Sequence, residues 1–271
     1  MSIDLKGIDW KAQLFPARDD LPRDLTSYDI LKSFAVVLMI VDHVGWLIFP
    51  QIEWFRVAGR LCVPVWFFLI GYADTRDVPW RWYVAGVVLL VSSLLVGLEP
   101  LPVCILFTFA LIRKVIEPFW AFIAARPVYF WWICLLLAFF SYVSDMLVEY
   151  GTMGLLLALT GYVARHREAV EADMGGGFVQ TFTIVALAMY GVVESLSFGF
   201  DLFGVMVLAA GLIGVFFALH DFTPKVMAGT GAGAHAPLIR FMGRYTLEIY
   251  VIHLLVLKGV FGLQKLAATI L

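Results

Sequence analysis

The chain has 271 residues, of which 62% are hydrophobic and 15% are charged, and its mean hydropathy is +0.91. Soluble domains are about half apolar and about one quarter charged, so this composition excludes an ordinary soluble protein. It predicts an all-α fold, a polytopic bundle of membrane-spanning helices. The formal net charge of −2 provides no basic surface for nucleic acid, so no nucleic-acid partner is expected.

Residues 1–27 hold four basic and five acidic side chains and no apolar core, so we expect no cleavable signal peptide. Scattered apolar positions predict a cytoplasmic or interfacial N-terminal segment, and a loose tail would fit the same pattern. Residues 28–271 show no repeat or linker and are predicted to form a single transmembrane domain. The three cysteines have no zinc-binding spacing, and no metal site is expected.

A membrane-spanning helix needs about 20 predominantly apolar residues. Applied along the chain, this requirement predicts nine spans, three of them short, with an interfacial segment over 117–125. The predicted spans cover residues 29–49, 57–73, 82–98, 101–113, 128–147, 151–164, 178–196, 202–219 and 239–258.

The distribution of Lys and Arg predicts the orientation, because cytoplasmic loops carry an excess of both. With the N-terminus inside and nine spans, 15 of the 19 basic residues fall on the inner side. The four on the outer side are Arg56, Arg60, Lys258 and Lys265. We therefore expect a cytoplasmic N-terminus.

The first predicted span contains three ionisable residues, Lys32, Asp42 and His43. Ionisable groups at membrane depth are costly and mark functional sites by default. Lys32 and His43 are 11 residues apart, about three helical turns, so they share a face and lie roughly 16 Å apart along the axis. His43 can act as a general base or simply join helices by a hydrogen bond. Asp42 faces elsewhere, and we expect it to pair with Arg60 or with another helix.

Further candidates lie in the other spans. Arg60 is interpreted either as an interfacial arginine or as a cation that binds an anion or an oxyanion near His43. Most inner-side basic residues have a purely topological explanation, but a subset converging on a cavity could bind a phosphorylated ligand. The candidates for that subset are Lys32, Arg76, Arg81, Arg240 and Arg244. Candidates for an acceptor site or pocket are Tyr250, His253 and Glu194.

Three segments resemble known membrane acyltransferases. LKSFAVVLMIVDH, residues 31–43, is similar to the first helix of acyltransferase family 3 and its relatives, with a basic residue, ten residues and then histidine. GRLCVPVWFFLIGYADTR, residues 59–76, resembles the TraX family, which acetylates pilin. IYVIHLL, residues 249–255, resembles the late Tyr-x-x-His-Leu run of both groups.

The resemblance implies a TraX-like, acyltransferase-like domain over 28–271 that moves an acetyl group from cytoplasmic acetyl-CoA to a hydroxyl or amine acceptor. His43, Asp42 and Arg60 would be catalytic, with His43 as the general base or as the site of a covalent acetyl-histidine. Lys32, Arg76, Arg81, Arg240 and Arg244 would bind the donor. The expected location is the inner membrane, in contact with lipid.

Several alternatives stay open at this point. The acceptor could be a protein N-terminus, a glycan or a lipid, and the oligomeric state is undetermined. A non-catalytic subunit of a larger membrane complex would also use aromatic-rich spans as docking surfaces. A proton-coupled transporter would use His43, Glu194 and His253 as a proton relay, although no inverted repeat is visible.

Overall fold

A computed structural model describes residues 21–270. Most of the expected N-terminal segment, residues 1–20, lies outside this range. Within the described range the chain forms twelve α-helices and one short antiparallel pair of strands, β1 (Leu25–Thr26) and β2 (Val226–Met227). The helices are α1 (Ser27–Leu47), α2 (Glu53–Gly59), α3 (Cys62–Tyr72), α4 (Trp80–Leu95), α5 (Ile105–Ala124), α6 (Phe130–Asp145), α7 (Gly151–Arg165), α8 (Arg167–Met174), α9 (Phe178–Phe198), α10 (Leu202–His220), α11 (Ala236–Arg244) and α12 (Thr246–Ile270).

Six helical segments of the described chain are long and apolar enough to cross a membrane. They are Ser27–Leu47, Glu53–Tyr72, Pro127–Asp145, Phe178–Phe198, Leu202–His220 and Thr246–Ala268. The protein is thus an all-α, multi-pass membrane protein. The three predicted spans without a counterpart among these six are 82–98, 101–113 and 151–164, which correspond to α4, to the first half of α5 and to α7. The count of nine spans and the cytoplasmic N-terminus stay predictions.

Two predicted boundaries are wrong. The span 101–113 and the interfacial segment 117–125 belong to one helix, α5, which continues past Arg113. The Arg113 side chain donates a 2.5 Å hydrogen bond to the Asp77 carbonyl oxygen and lies over the Trp82 ring, so its charge is accommodated without a helix end.

The predicted ninth span, 239–258, is divided instead of continuous. Helix α11 ends at Arg244, and α12 begins at Thr246 and runs well beyond residue 258. The Arg244 side chain donates hydrogen bonds of 3.2 and 3.0 Å to the two oxygens of Asp29. This ion pair joins α11 to the first turn of α1, so the spanning helix starts only after it.

The start of α1 is fixed by a capping box. The Thr26 hydroxyl accepts a hydrogen bond from the Asp29 amide (3.1 Å), and the Asp29 carboxylate accepts one from the Thr26 amide (3.0 Å). Such a cap stabilises a helix by about 1 kcal/mol. Together with Arg244 it fixes the position of α1, and with it the depth of Lys32 and His43.

Helices α3 and α7 pack with their backbones in contact. A Cβ atom at Gly71 would lie 1.7 Å from the Ala158 carbonyl oxygen, and one at Gly161 would lie 1.9 Å from the Phe68 carbonyl oxygen. Only glycine fits at either position. The buried core surrounds this contact, whereas α6 directs large apolar side chains such as Trp132 and Phe139 outwards, as a lipid-facing helix does.

Candidate functional site

A cavity of about 870 Å³ lies inside the bundle and is lined by residues of α1, α3, α4, α5, α9 and α12 and of the segment joining α6 to α7. On α1 its lining extends from Tyr28 near the start to Trp46 near the end. These two residues are roughly 27 Å apart along the helix axis, close to the ~30 Å thickness of a hydrocarbon core. The cavity therefore follows nearly the whole length of the spanning helix.

One end of the cavity is cationic. Lys32, Arg81 and Arg113 line it beside Tyr28 and Pro79. Arg81 also pairs with Glu248 at 3.4 Å. Two of the predicted donor-binding residues, Lys32 and Arg81, are thus brought together, and Arg113 joins them. The sequence signal for Arg113 was its place among the inner basic residues, which gave no reason to choose it.

The other three predicted donor-binding residues do not line this cavity. Arg76 pairs with Glu117 at 2.9 Å, Arg244 pairs with Asp29, and Arg240 donates to the Arg23 carbonyl oxygen at 2.6 Å. Arg240 and Arg244 hold the segment before α1, and Arg76 holds the start of the α3–α4 connection. Spacing along the chain could not reveal these local partners.

His43 lines the cavity near the end of α1, three residues before Trp46, and is half-buried. Its Nδ1 lies 2.7 Å from Nε2 of His253, and Nδ1 of His253 lies 2.6 Å from the Ile249 carbonyl oxygen. The two ring planes are inclined by 28°, and their centroids are 5.0 Å apart. The buried Tyr250 ring is 5.9 Å from that of His43, and Tyr250 also lines the cavity. The structure therefore brings His43, Tyr250 and His253 together between α1 and α12.

Asp42 faces away from His43 and joins a buried network of four charges. Its carboxylate pairs with Arg60 and, at 2.9 Å, with Arg56. Arg60 also pairs with Glu194 at 3.4 Å, and the Tyr190 hydroxyl donates a 2.8 Å hydrogen bond to the Arg60 carbonyl oxygen. The expected pairing of Asp42 with Arg60 is confirmed.

Arg60 does not extend towards the membrane surface. It occupies the break between α2 and α3, and its side chain is only 7% exposed. Its guanidinium group also lies over the ring of Phe198, 4.9 Å from the centroid. The charge of Arg60 is matched by two carboxylates, so the network ties α1, the α2–α3 junction and α9 together.

Two further carboxylates line the cavity, and neither is among the predicted site residues. Asp145 accepts a 2.5 Å hydrogen bond from the Tyr150 amide, and Glu149 accepts one of 2.8 Å from the Ile105 amide. No spacing signal links them to His43, because they are about 100 residues away in the sequence. The cavity thus has a cationic end near the start of α1 and a mixed-charge end near the close of α1, where His43 also lines it.

Fold and site together define a multi-pass helical membrane protein with a polar, charge-lined interior cavity. A family model described as TraX protein matches residues 27–261, and the chain belongs to this family. An uncharacterized protein of Rickettsia prowazekii (strain Madrid E) is 25% identical over 246 residues, covering 89% of this chain and 95% of the relative. No solved structure matches the chain. The wider placement with acyltransferase family 3 stays a prediction.

Proposed function

We propose that this TraX-family protein is an acyltransferase of the cytoplasmic membrane that moves an acetyl group from acetyl-CoA to a hydroxyl or amine acceptor. The observation that carries the proposal is that His43 and three cations, Lys32, Arg81 and Arg113, line one cavity. A proton acceptor is thereby joined to a group of cations suited to phosphate.

The donor enters at the cationic end, which faces the cytoplasm, where coenzyme A is made. Its phosphates bind Lys32, Arg81 and Arg113. The pantetheine arm then extends along α1 towards His43. Lys32 and His43 are roughly 16 Å apart along the axis, a distance of the same order as that arm. The thioester carbonyl then lies beside the imidazole of His43.

His43 acts as a general base on the acceptor. It takes the proton of the hydroxyl or amine as the oxygen or nitrogen attacks the thioester carbonyl. The tetrahedral intermediate collapses with cleavage of the carbon–sulfur bond, and protonated His43 returns the proton to the leaving thiolate. A covalent acetyl-histidine is the variant of this mechanism. No metal enters either route.

Tyr250 is the best-placed donor for the developing oxyanion. The Tyr250 side chain is buried and lies on the cavity wall next to His43. Its hydroxyl makes no hydrogen bond to the residues that the structure describes. Arg60 is less suited because its charge is already matched by Asp42 and Glu194. Arg60 and Asp42 instead hold the wall of the cavity in place. The nearby carboxylates Asp145 and Glu149 line the end of the cavity at which the acceptor binds.

Donor binding is tested by neutralising the cationic end. Replacement of Lys32 with glutamine is expected to raise the KM for acetyl-CoA about 5- to 30-fold with little change in kcat, because one charge-assisted contact worth ~1–2 kcal/mol is lost. The matched control is Arg126→Gln, since Arg126 is exposed and lies outside the cavity. An unchanged KM in the Lys32 variant would remove this end of the cavity from the donor site.

A further inference from the structure

We infer that His253 is a positioning residue that holds His43 in the tautomer with a proton on Nδ1 and a bare Nε2. The base is then a single defined atom, Nε2 of His43. The inference rests on the proposed function for its catalytic meaning, but the protonation pattern itself follows from the hydrogen bonds.

The chain of hydrogen bonds has only one direction when both rings are neutral. The Ile249 carbonyl oxygen can only accept, so Nδ1 of His253, 2.6 Å away, must carry a proton. The Nε2 atom of His253 is therefore bare and accepts. Its partner, Nδ1 of His43 at 2.7 Å, must then donate. A neutral imidazole has one N–H, which leaves Nε2 of His43 as the lone-pair atom.

His253 is well supported for this role, because α12 is attached to α4 on both sides of it. Five residues before His253, Glu248 pairs with Arg81 of α4. Five residues after it, the buried Lys258 ammonium donates to the Leu89 carbonyl oxygen (2.9 Å) and to the hydroxyls of Ser92 (3.2 Å) and Ser93 (2.8 Å). These contacts fix the axial position of α12, so the His253 ring stays opposite His43.

The arrangement also suits the proton transfer. When Nε2 of His43 takes the acceptor proton, its Nδ1–H keeps donating to the lone pair of His253, and the imidazolium needs no new partner. A second proton on the pair would place two cations 2.7 Å apart, so the pair holds one added proton. His253 itself need not touch the substrate.

Two variants of His253 distinguish a role in positioning His43 from a role in packing alone. In His253→Gln the side-chain carbonyl oxygen can replace Nε2 as acceptor, whereas His253→Leu keeps the bulk and removes the acceptor. We expect kcat to fall about 10²–10⁴-fold in the leucine variant, with KM for acetyl-CoA unchanged, since loss of the correct tautomer has effects of this size in Ser-His-Asp enzymes. The glutamine variant should recover at least about tenfold of that loss. Equal losses in both variants with unchanged thermal midpoints, or no loss in the leucine variant, would overturn the inference.

The tautomer can also be measured without turnover. In protein labelled with ¹⁵N-histidine, the His43 signals, assigned by their loss in His43→Gln, should show a protonated Nδ1 and a bare Nε2 at neutral pH. The leucine variant should show a mixture of tautomers. A protonated Nε2 in the unmodified protein would contradict the inference whether or not the protein transfers acetyl groups. Absence of transfer with the expected tautomer would instead count against the proposed function.

Discussion

Replacement of His43 with alanine is expected to lower acetyl transfer about 10²–10⁴-fold, the range that a positioned general acid–base group contributes. No other imidazole among the described residues lines the cavity, so no neighbour can take over the proton transfer. The measurement is the incorporation or release of radiolabelled acetyl from acetyl-CoA in membrane vesicles from cells that express the protein. The vesicles should contain equal amounts of the His43→Ala variant and of the unmodified protein.

The control for this experiment is His166→Ala. His166 is an exposed histidine at the end of α7 and does not line the cavity, so its replacement should leave transfer unchanged. Unchanged transfer in the His43 variant would eliminate His43 as the base.

Replacement of Arg60 with methionine is expected to destabilise the protein by about 3–5 kcal/mol. The change leaves Glu194 without its cation inside the membrane domain and leaves Asp42 with Arg56 alone. Removal of one partner from a buried ion pair has a cost of this size because the other charge stays buried and uncompensated. The measurement is the thermal midpoint of the detergent-solubilised protein, together with its yield.

Arg56→Gln is the matched comparison, because Arg56 contacts the same carboxylate but is more exposed, and Arg60 still neutralises Asp42 when it is replaced. We expect a clearly smaller fall in the midpoint for this variant. If the Arg60 variant kept its full stability but lost acetyl transfer with an unchanged KM, Arg60 would take part in the reaction instead of supporting the cavity wall.

Much of the helical framework could be predicted from the sequence, because membrane-spanning helices are recognisable as long runs of apolar residues. The face shared by Lys32 and His43 also follows from helical periodicity, and both residues line the cavity. The failures have local causes. The charges inside α5 have the sequence pattern of a helix end, and the short break at Tyr245 is invisible in a sequence window that averages over about 20 residues.

Contacts between distant parts of the chain could not be predicted in detail. Arg76, Arg240 and Arg244 have the same sequence signature as Arg81, a basic residue at an inner helix end, and only tertiary structure separates them. The contact between His43 and His253 spans 210 positions and has no periodicity to reveal it. Sequence reasoning could place the two histidines in a candidate list but could not show that they form a pair.

The most direct measurement is the site at which bromoacetyl-CoA alkylates the purified protein. This reagent carries an electrophilic carbon in the place of the acetyl methyl group, and Cys62→Ala removes the competing thiol of the cavity. We expect the adduct on His43, located by peptide mass spectrometry, with protection by free CoA and slower labelling in Lys32→Gln. Adducts confined to residues outside the cavity, or labelling of His43 that free CoA does not reduce, would contradict a donor that reaches the imidazole from the cationic end.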